Sequence, residues 1–235
     1  MNPTDRLTTP MTHQLAIYDM DRTITRLPTY TPFLWHAMLR LSPWRIVLIP
    51  FLLPVFIAYG AKWIDRKRLK EIMQSTVLGA HVSRAKLARI TTSFAEKTMA
   101  RNIHPGAFDA IAEDRAAGRR LVLATASYRL YVEAIAQRLG FDDVIATNSL
   151  TGLDDRIMAR VDGENCYGPA KLRMIVAWMA ANDIDRKQAV IRFYSDHASD
   201  EPVLEWSDEP FAVNAHDKLR RLAKVRGWTI LDWGF

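Results

Sequence analysis

The sequence predicts an α/β protein: a parallel sheet with helices on both faces, interrupted after its first strand by a helical module. Three observations carry that expectation. An unbroken apolar run, LAIY at 15–18, reads as a buried strand. Residues 30–100 carry helical patterns throughout. From residue 107 onward, short apolar runs alternate with helical stretches as far as the C-terminus.

In chain order, the first strand is expected over Gln14 to Asp19. In the helical module, FLWHAMLRL (33–41), DRKRLKEIMQSTVL (65–78) and SRAKLARITTSFAEKTM (83–99) read as helices, with Ser83 as an N-cap. Between them lies the most apolar segment, IVLIPFLLPVFIAY (46–59), bracketed by Arg45 and Lys62. It is shorter than the roughly 20 residues a bilayer-spanning helix needs and carries Pro50 and Pro54, so it is expected as a buried or membrane-surface helix. After IHPG (103–106), a helix over 107–117 should end at Gly118 and RLVLAT (120–125) should form a buried strand. Helix 128–140 closes on Gly140 as C-cap, and VIAT (144–147) is the next strand. Residues 150–167 look like a hairpin excursion with a turn at Asp162-Gly163. Helix 169–182, strand AVIRFYS (189–195), strand FAVN (211–214), helix 217–226 and a last strand WTIL (228–231) complete the pattern.

Composition bounds the function. At 235 residues and 49% hydrophobic, the chain can bury one core and a small second module. A net charge of +6 favours anionic partners: nucleic acid, anionic lipid or phosphorylated small molecules. The basic residues are dispersed and no nucleic-acid recognition motif accompanies them, so no nucleic-acid partner is expected. The single cysteine, Cys166, excludes an intramolecular disulfide and a cysteine-rich zinc site, and reads as a spectator thiol. MNPTDRLTTPMTHQ has no apolar core of the signal-peptide type, which predicts a mobile leader over 1–13 and a cytoplasmic protein.

Ligands of such sheets sit beyond the carboxyl ends of the strands. Those ends carry Asp19 and Asp21, Thr125, and Asp196 with Asp200, while Lys171 opens the helix in GPAK. Two carboxylates one residue apart repel, and one drifts toward protonation unless a cation lies between them. Magnesium, commonly held by one or two carboxylates and a phosphate substrate, relieves such a field. A lysine and a hydroxyl supply donors to phosphate oxygens, and a free Asp can act as nucleophile. Blander readings compete. Ser127 could serve the substrate, but N-capping the helix from 128 is its simpler job. Arg173, two residues after Lys171, should face away, and His197 should be a solvated loop histidine. Arg22 either reaches substrate or an anionic surface, or lies in solvent.

AIYDMDRTIT (16–25) resembles motif one, D-x-D-x-T, of the haloacid dehalogenase superfamily phosphatases. Thr125 at the end of LVLAT, Lys171, and YSDHASD (194–200) stand in the order of that family's remaining motifs. The resemblance implies a Rossmann-like parallel sheet core (14–29 and 101–235) with an all-helical cap (30–100) inserted after the first strand, similar to the phosphoserine-phosphatase-like branch. It implies a Mg2+ ion, Asp19 as nucleophile and metal ligand, and Asp21 as general acid and base with its carbonyl on the metal. Thr125 and Lys171 would hold the phosphoryl oxygens, with Ser127 beside them at the substrate. Asp196 would complete the metal site, and Asp200 would orient the metal's waters or Lys171.

The cap bears on the substrate. TRLPTYTP (25–32) offers no acid where phosphoserine phosphatases carry a carboxylate that reads the serine ammonium, which argues against phosphoserine. Its Trp35, Trp44, Phe51, Phe56 and Trp63, flanked by Arg40, Arg45, Lys62 and Arg66–Arg68, suit a cap resting on anionic lipid, a layout similar to phosphatidylglycerophosphatase C-type proteins. Otherwise that face packs inside the cap or in a dimer. The expected partner is accordingly a phosphorylated small molecule or a lipid phosphate, with peripheral contact at the inner face of a membrane. An idle binding or regulatory module that kept the fold is the alternative from another class.

Overall fold

The computed structural model describes residues 13–234. Its eight-stranded sheet runs, edge to edge, His81–Ser83 (β2), Arg156–Asp162 (β5), Asp143–Thr151 (β4), Arg120–Tyr128 (β3), His13–Tyr18 (β1), Ala189–Ser195 (β6), Glu209–Val213 (β7) and Thr229–Leu231 (β8). Strand β1 (His13–Tyr18) lies at the centre, parallel to β3 (Arg120–Tyr128) on one side and β6 (Ala189–Ser195) on the other, with Ile17 opposite both Val122 and Phe193. This placement explains its unbroken apolar run. Ala16 and Tyr18 join one hydrophobic core and Leu15 and Ile17 the other, so neither face of the strand meets water. His13, expected in the leader, begins β1; the rest of the leader, 1–12, lies outside the described residues.

Outward from β6, β7 (Glu209–Val213) and β8 (Thr229–Leu231) continue the parallel pairing. Beyond β3 comes β4 (Asp143–Thr151), also parallel, and then β5 (Arg156–Asp162), which runs antiparallel to β4. The expected hairpin excursion is therefore part of the sheet, and its turn is not Asp162-Gly163. The chain reverses at 152–155, where Gly152 N–H donates to the Arg156 carbonyl and Asp155 takes a positive φ of 54°. The alternating burial of Ile157, Ala159 and Val161 sets that register.

The insert between β1 and β3 contains α1 (Tyr30–Leu41), a 3₁₀ stretch over Pro43–Leu52 that runs into α2 (Leu53–Gly60), α3 (Arg66–Leu78) and α4 (Arg84–Arg101). It is not all-helical. Gly79, at a φ of 100° that side chains rarely adopt, stops α3, and β2 (His81–Ser83) pairs antiparallel with β5, burying Val82 opposite Ile157. Ser83 stands at the N-cap position of α4 but makes no side-chain capping bond, whereas Asp65 caps α3 by accepting from the Arg68 N–H.

The remaining helices are α5 (Pro105–Ala116), α6 (Arg129–Leu139), α7 (Pro169–Ala181), α8 (Glu201–Trp206) and α9 (Asp217–Arg226). Pro105 lets α5 start two residues before the expected helix, because proline fits the first turn where its missing N–H costs nothing. Gly140 closes α6 in the left-handed region, as its position implied. Cys166 is buried against the Ile145 carbonyl, and burial pushes its thiol up to about 12, which suits a spectator.

Candidate active site

The carboxyl ends of β1, β3 and β6 meet at one edge, and there the chain concentrates buried charge. Lys171, on the first turn of α7, is buried and donates through Nζ to Asp19 Oδ1 at 2.7 Å and to Asp200 Oδ2 at 2.6 Å. Asp19, directly after β1, is locked at its backbone by donation to the Tyr194 carbonyl of β6. Asp196 follows β6, and the Thr23 hydroxyl lies between it and Asp19, 3.4 Å from Asp196 Oδ1 and 3.2 Å from Asp19 Oδ2. Thr23 Oγ1 also accepts the Asp196 N–H at 3.0 Å. Thr23 therefore joins two strand ends. Asp200 receives a further bond from the Ser195 hydroxyl at 2.8 Å.

The electrostatics follow from crowding acids where water is excluded. Burial pushes Asp19 up to about 6 despite Lys171, and burial together with Asp19 and Asp200 pushes Asp196 up to about 8. Burial opposes the charge on Lys171, but Asp19 and Asp200 more than offset it and hold the lysine above its ordinary range. One ammonium is thus shared among three buried acids, and the edge is short of positive charge.

That shortage tests the implied magnesium. Among the described residues no three His, Cys, Asp or Glu side chains gather as a metal cage. Magnesium asks for less, since it keeps several waters and takes one or two carboxylates. Asp19 and Asp196 offer those carboxylates with the Asp21 carbonyl nearby in sequence, and the buried Asp200 Oδ1 has no hydrogen-bond partner, an acceptor suited to a metal-bound water. The donor set fits a small oxygen-seeking cation.

Asp21 faces a different environment. Its Oδ1 accepts from both the N–H and the hydroxyl of Thr29 at 2.7 Å, and its Oδ2 accepts from Ser127 Oγ at 2.6 Å. Ser127 therefore holds Asp21 instead of capping α6, whose N-cap is Tyr128. Thr125 is buried, accepts the Ser127 N–H on its hydroxyl at 3.1 Å and lines the pocket with Lys171. Arg173 faces outward, as expected, in an exposed ion pair with Glu164. His197 accepts the Ser199 N–H in a local turn. Arg22 adopts a left-handed φ of 66° at the pocket rim, 3.1 Å from His216 Nε2, whose ring also lies 3.5 Å from Asp196 Oδ2.

The cap supplies the opposite wall with Phe56, Tyr59, Leu69, Lys70 and Met73. Lys70, unnoticed in the sequence, is buried, and its Nζ bridges from α3 to the Ala126 carbonyl at 2.5 Å and Asn165 Oδ1 at 2.7 Å. Burial and then Arg66 push it down to about 7. Thr29 and His216 also went unread, because nothing local marks a threonine eight residues from Asp21 or a histidine after β7 as a neighbour of the site. Ser195, adjacent to Asp196, was the one such residue within reach of the YSD signal.

A buried aspartate-lysine pair at the strand ends, further carboxylates beside it and a pocket walled by the cap are the arrangement of a phosphatase-type hydrolase. The chain belongs to the haloacid dehalogenase-like hydrolase family, whose profile matches residues 16–205. It is 31% identical over 223 residues to the "Inhibition of morphological differentiation protein" of Streptomyces azureus, covering 93% of this chain and 78% of that protein. It is 24% identical over 155 residues to a histidinol-phosphatase of Neisseria meningitidis, covering 66% and 70%. A crystal structure of a protein of unknown function from Bordetella pertussis Tohama I shares the fold with a TM-score of 0.82 at 24% identity, over 95% of this chain and 100% of that one.

Proposed function

We propose that the chain is a magnesium-dependent phosphomonoester hydrolase that works through an aspartyl-phosphate on Asp19. The observation that carries this reading is the buried Lys171 bonded to both Asp19 and Asp200 beside Asp196. Asp19 attacks phosphorus and the ester P–O bond breaks, the leaving oxygen taking its proton from Asp21. Asp21 then removes a proton from water, which attacks the aspartyl-phosphate and frees Asp19 and inorganic phosphate. Lys171 and Thr125 bind the phosphoryl oxygens, and Asp200 keeps the ammonium aimed at them. Asp19, Asp196 and the Asp21 carbonyl would hold magnesium, which when bound offsets the charge gathered on the carboxylates and the phosphoryl group. For Asp21 to donate, its Oδ2 must exchange the Ser127 bond for the leaving oxygen.

Asp19→Asn should abolish magnesium-dependent turnover of a soluble aryl phosphate while leaving the circular dichroism spectrum intact; a folded variant that still turns over sinks the assignment. The idle-module alternative has little to support it, because each position implied by the motifs lies at the pocket. Absence of hydrolysis across a broad phosphate panel would restore it. That panel spans amino-acid, amino-alcohol, sugar, nucleotide and lipid phosphates. The lipid arm has its own motive in the exposed apolar segment Pro43–Gly60, which supports contact with a membrane face and hence a lipid phosphate substrate; phosphatidylglycerophosphate and a cytoplasmic location at the inner face stay with that proposal.

A further inference from the structure

The cap wall of the pocket is continuous with an exposed surface. Phe56 and Tyr59 line the pocket yet are 45% and 38% exposed, and α2 buries none of its residues. Before them along the chain Trp44, Val47 and Phe51 are exposed by 60%, 62% and 71%, and Ile57, between Phe56 and Tyr59, by 61%. Large apolar surface left in water on this scale marks an interaction site.

Pro43–Gly60 is long and apolar enough to cross a membrane. The structure lays it along the cap instead. Leu52 is buried, Ile49 and Val55 pack against the hydrophobic core, and the Arg45 guanidinium donates to the Ser75 and Thr76 carbonyls of α3 at 3.2 and 3.0 Å. One flank is held by protein, and the other faces out.

Charge selects what covers that outer flank. From Arg22 to Ile64 the chain has no Asp or Glu; with Arg45 turned onto α3 and Arg22 at the pocket rim, the exposed Arg40 and Lys62 flank the apolar segment in sequence. A second copy meeting this face across a two-fold axis would set cations against cations. An anionic bilayer complements them, and Trp44 and the 81%-exposed Trp63 suit the headgroup level, where indole rings favour the interface.

We propose that this face of the cap docks on an anionic lipid bilayer, and that Phe56 and Tyr59 lead the apolar part of a lipid phosphomonoester from that surface to Asp19. The delivery half rests on the phosphomonoesterase reading; the docking half does not.

The test is co-sedimentation of the full chain with phosphatidylcholine vesicles and with vesicles carrying about one-third phosphatidylglycerol. Wild-type protein should pellet with the anionic vesicles at least about tenfold better than with the neutral ones, and less in high salt. The double variant Val47→Asp/Phe51→Asp should lose about tenfold or more of that binding and still hydrolyse a soluble aryl phosphate at the wild-type rate. No wild-type binding to anionic vesicles overturns the docking, as does undiminished binding by the folded variant. A wild-type dimer split by the variant, without vesicle binding, would make the face a self-interface. If the variant does not fold, the wild-type comparison of the two vesicle types across salt still decides. Delivery is read separately: a vesicle-borne phosphatidyl monoester should be hydrolysed faster than its chain-free headgroup, and an equal or slower rate overturns it. Vesicle binding without turnover of any phosphate would strike the hydrolase reading and leave the docking standing.

Discussion

The catalytic edge and the outer face of the cap make opposite departures from an ordinary folded surface. At the edge, Asp19, Asp196, Asp200 and Lys171 are ionisable groups taken out of water. On the cap, Trp44, Val47, Phe51 and Trp63 are apolar groups left in it. Each arrangement is unfavourable for the free chain, the first through lost hydration of ions and the second through exposed hydrocarbon. A protein keeps such features where a ligand removes the penalty, and the proposed lipid phosphomonoester, ionic at one end and apolar at the other, would do so for both regions.

The largest expected effect is at Lys171. Lys171→Met should leave Asp19 and Asp200 buried without their shared cation, destabilising by about 3–5 kcal/mol in denaturant titration and eliminating turnover. A variant as stable as wild type would mean the edge is less dry than its geometry says.

Next comes the titration of the acids. Asp19 at about 6 and Asp196 at about 8 both lie above the ordinary aspartate value of 3.8. The folded, metal-free chain therefore binds protons more tightly than the unfolded one. The stability this contributes is complete below about pH 4 and is lost as pH rises through 6 and then 8. Metal-free Tm should fall between pH 5 and 9. Asp196→Asn should flatten the upper part of that fall, by about 2–4 °C for each kcal/mol recovered. Magnesium should raise wild-type Tm most at the alkaline end and have little effect on the variant. Insensitivity of the wild type to magnesium would contradict the fit of its donor set.

A smaller effect belongs to Ser127. Ser127→Ala removes a donor to Asp21 and should lower kcat about tenfold, with KM little changed, because the bond positions the proton carrier and not the phosphate. A change confined to KM would move Ser127 to the substrate. The smallest expected change is on the cap: Phe51→Asp should alter stability by no more than about 0.5 kcal/mol by thermal melting, since a side chain 71% exposed has little packing to lose. A large loss would show that the face is covered within the chain.

How much of this was legible depended on whether the signal was local. Asp19 and Asp196 each follow a buried strand and Thr125 lies in the last part of another, and strand ends at one edge of a parallel sheet must converge, so reading order was enough to assemble them. The apolar segment at 46–59 was equally plain, although its exposure was not. The rest depended on distant partners. The strand His81–Ser83 exists because β5 offers it an edge more than seventy residues away in sequence. Asp162-Gly163 has turn chemistry, but the alternation in IMARV carries β5 up to it and puts the reversal at the other end of the strand. Ser127 had a sound local job as a cap, and a carboxylate 106 residues distant outbid it.

The bridge from Lys70 reaches further than its two hydrogen bonds. One of its acceptors is the carbonyl of Ala126, the residue between Thr125 and Ser127. Any movement that lifts α3 to admit a substrate must first strip a buried ammonium of that carbonyl, and so tugs on the strand end proposed to grip the phosphate and steady Asp21. The doorway and the cradle hang on one hinge pin.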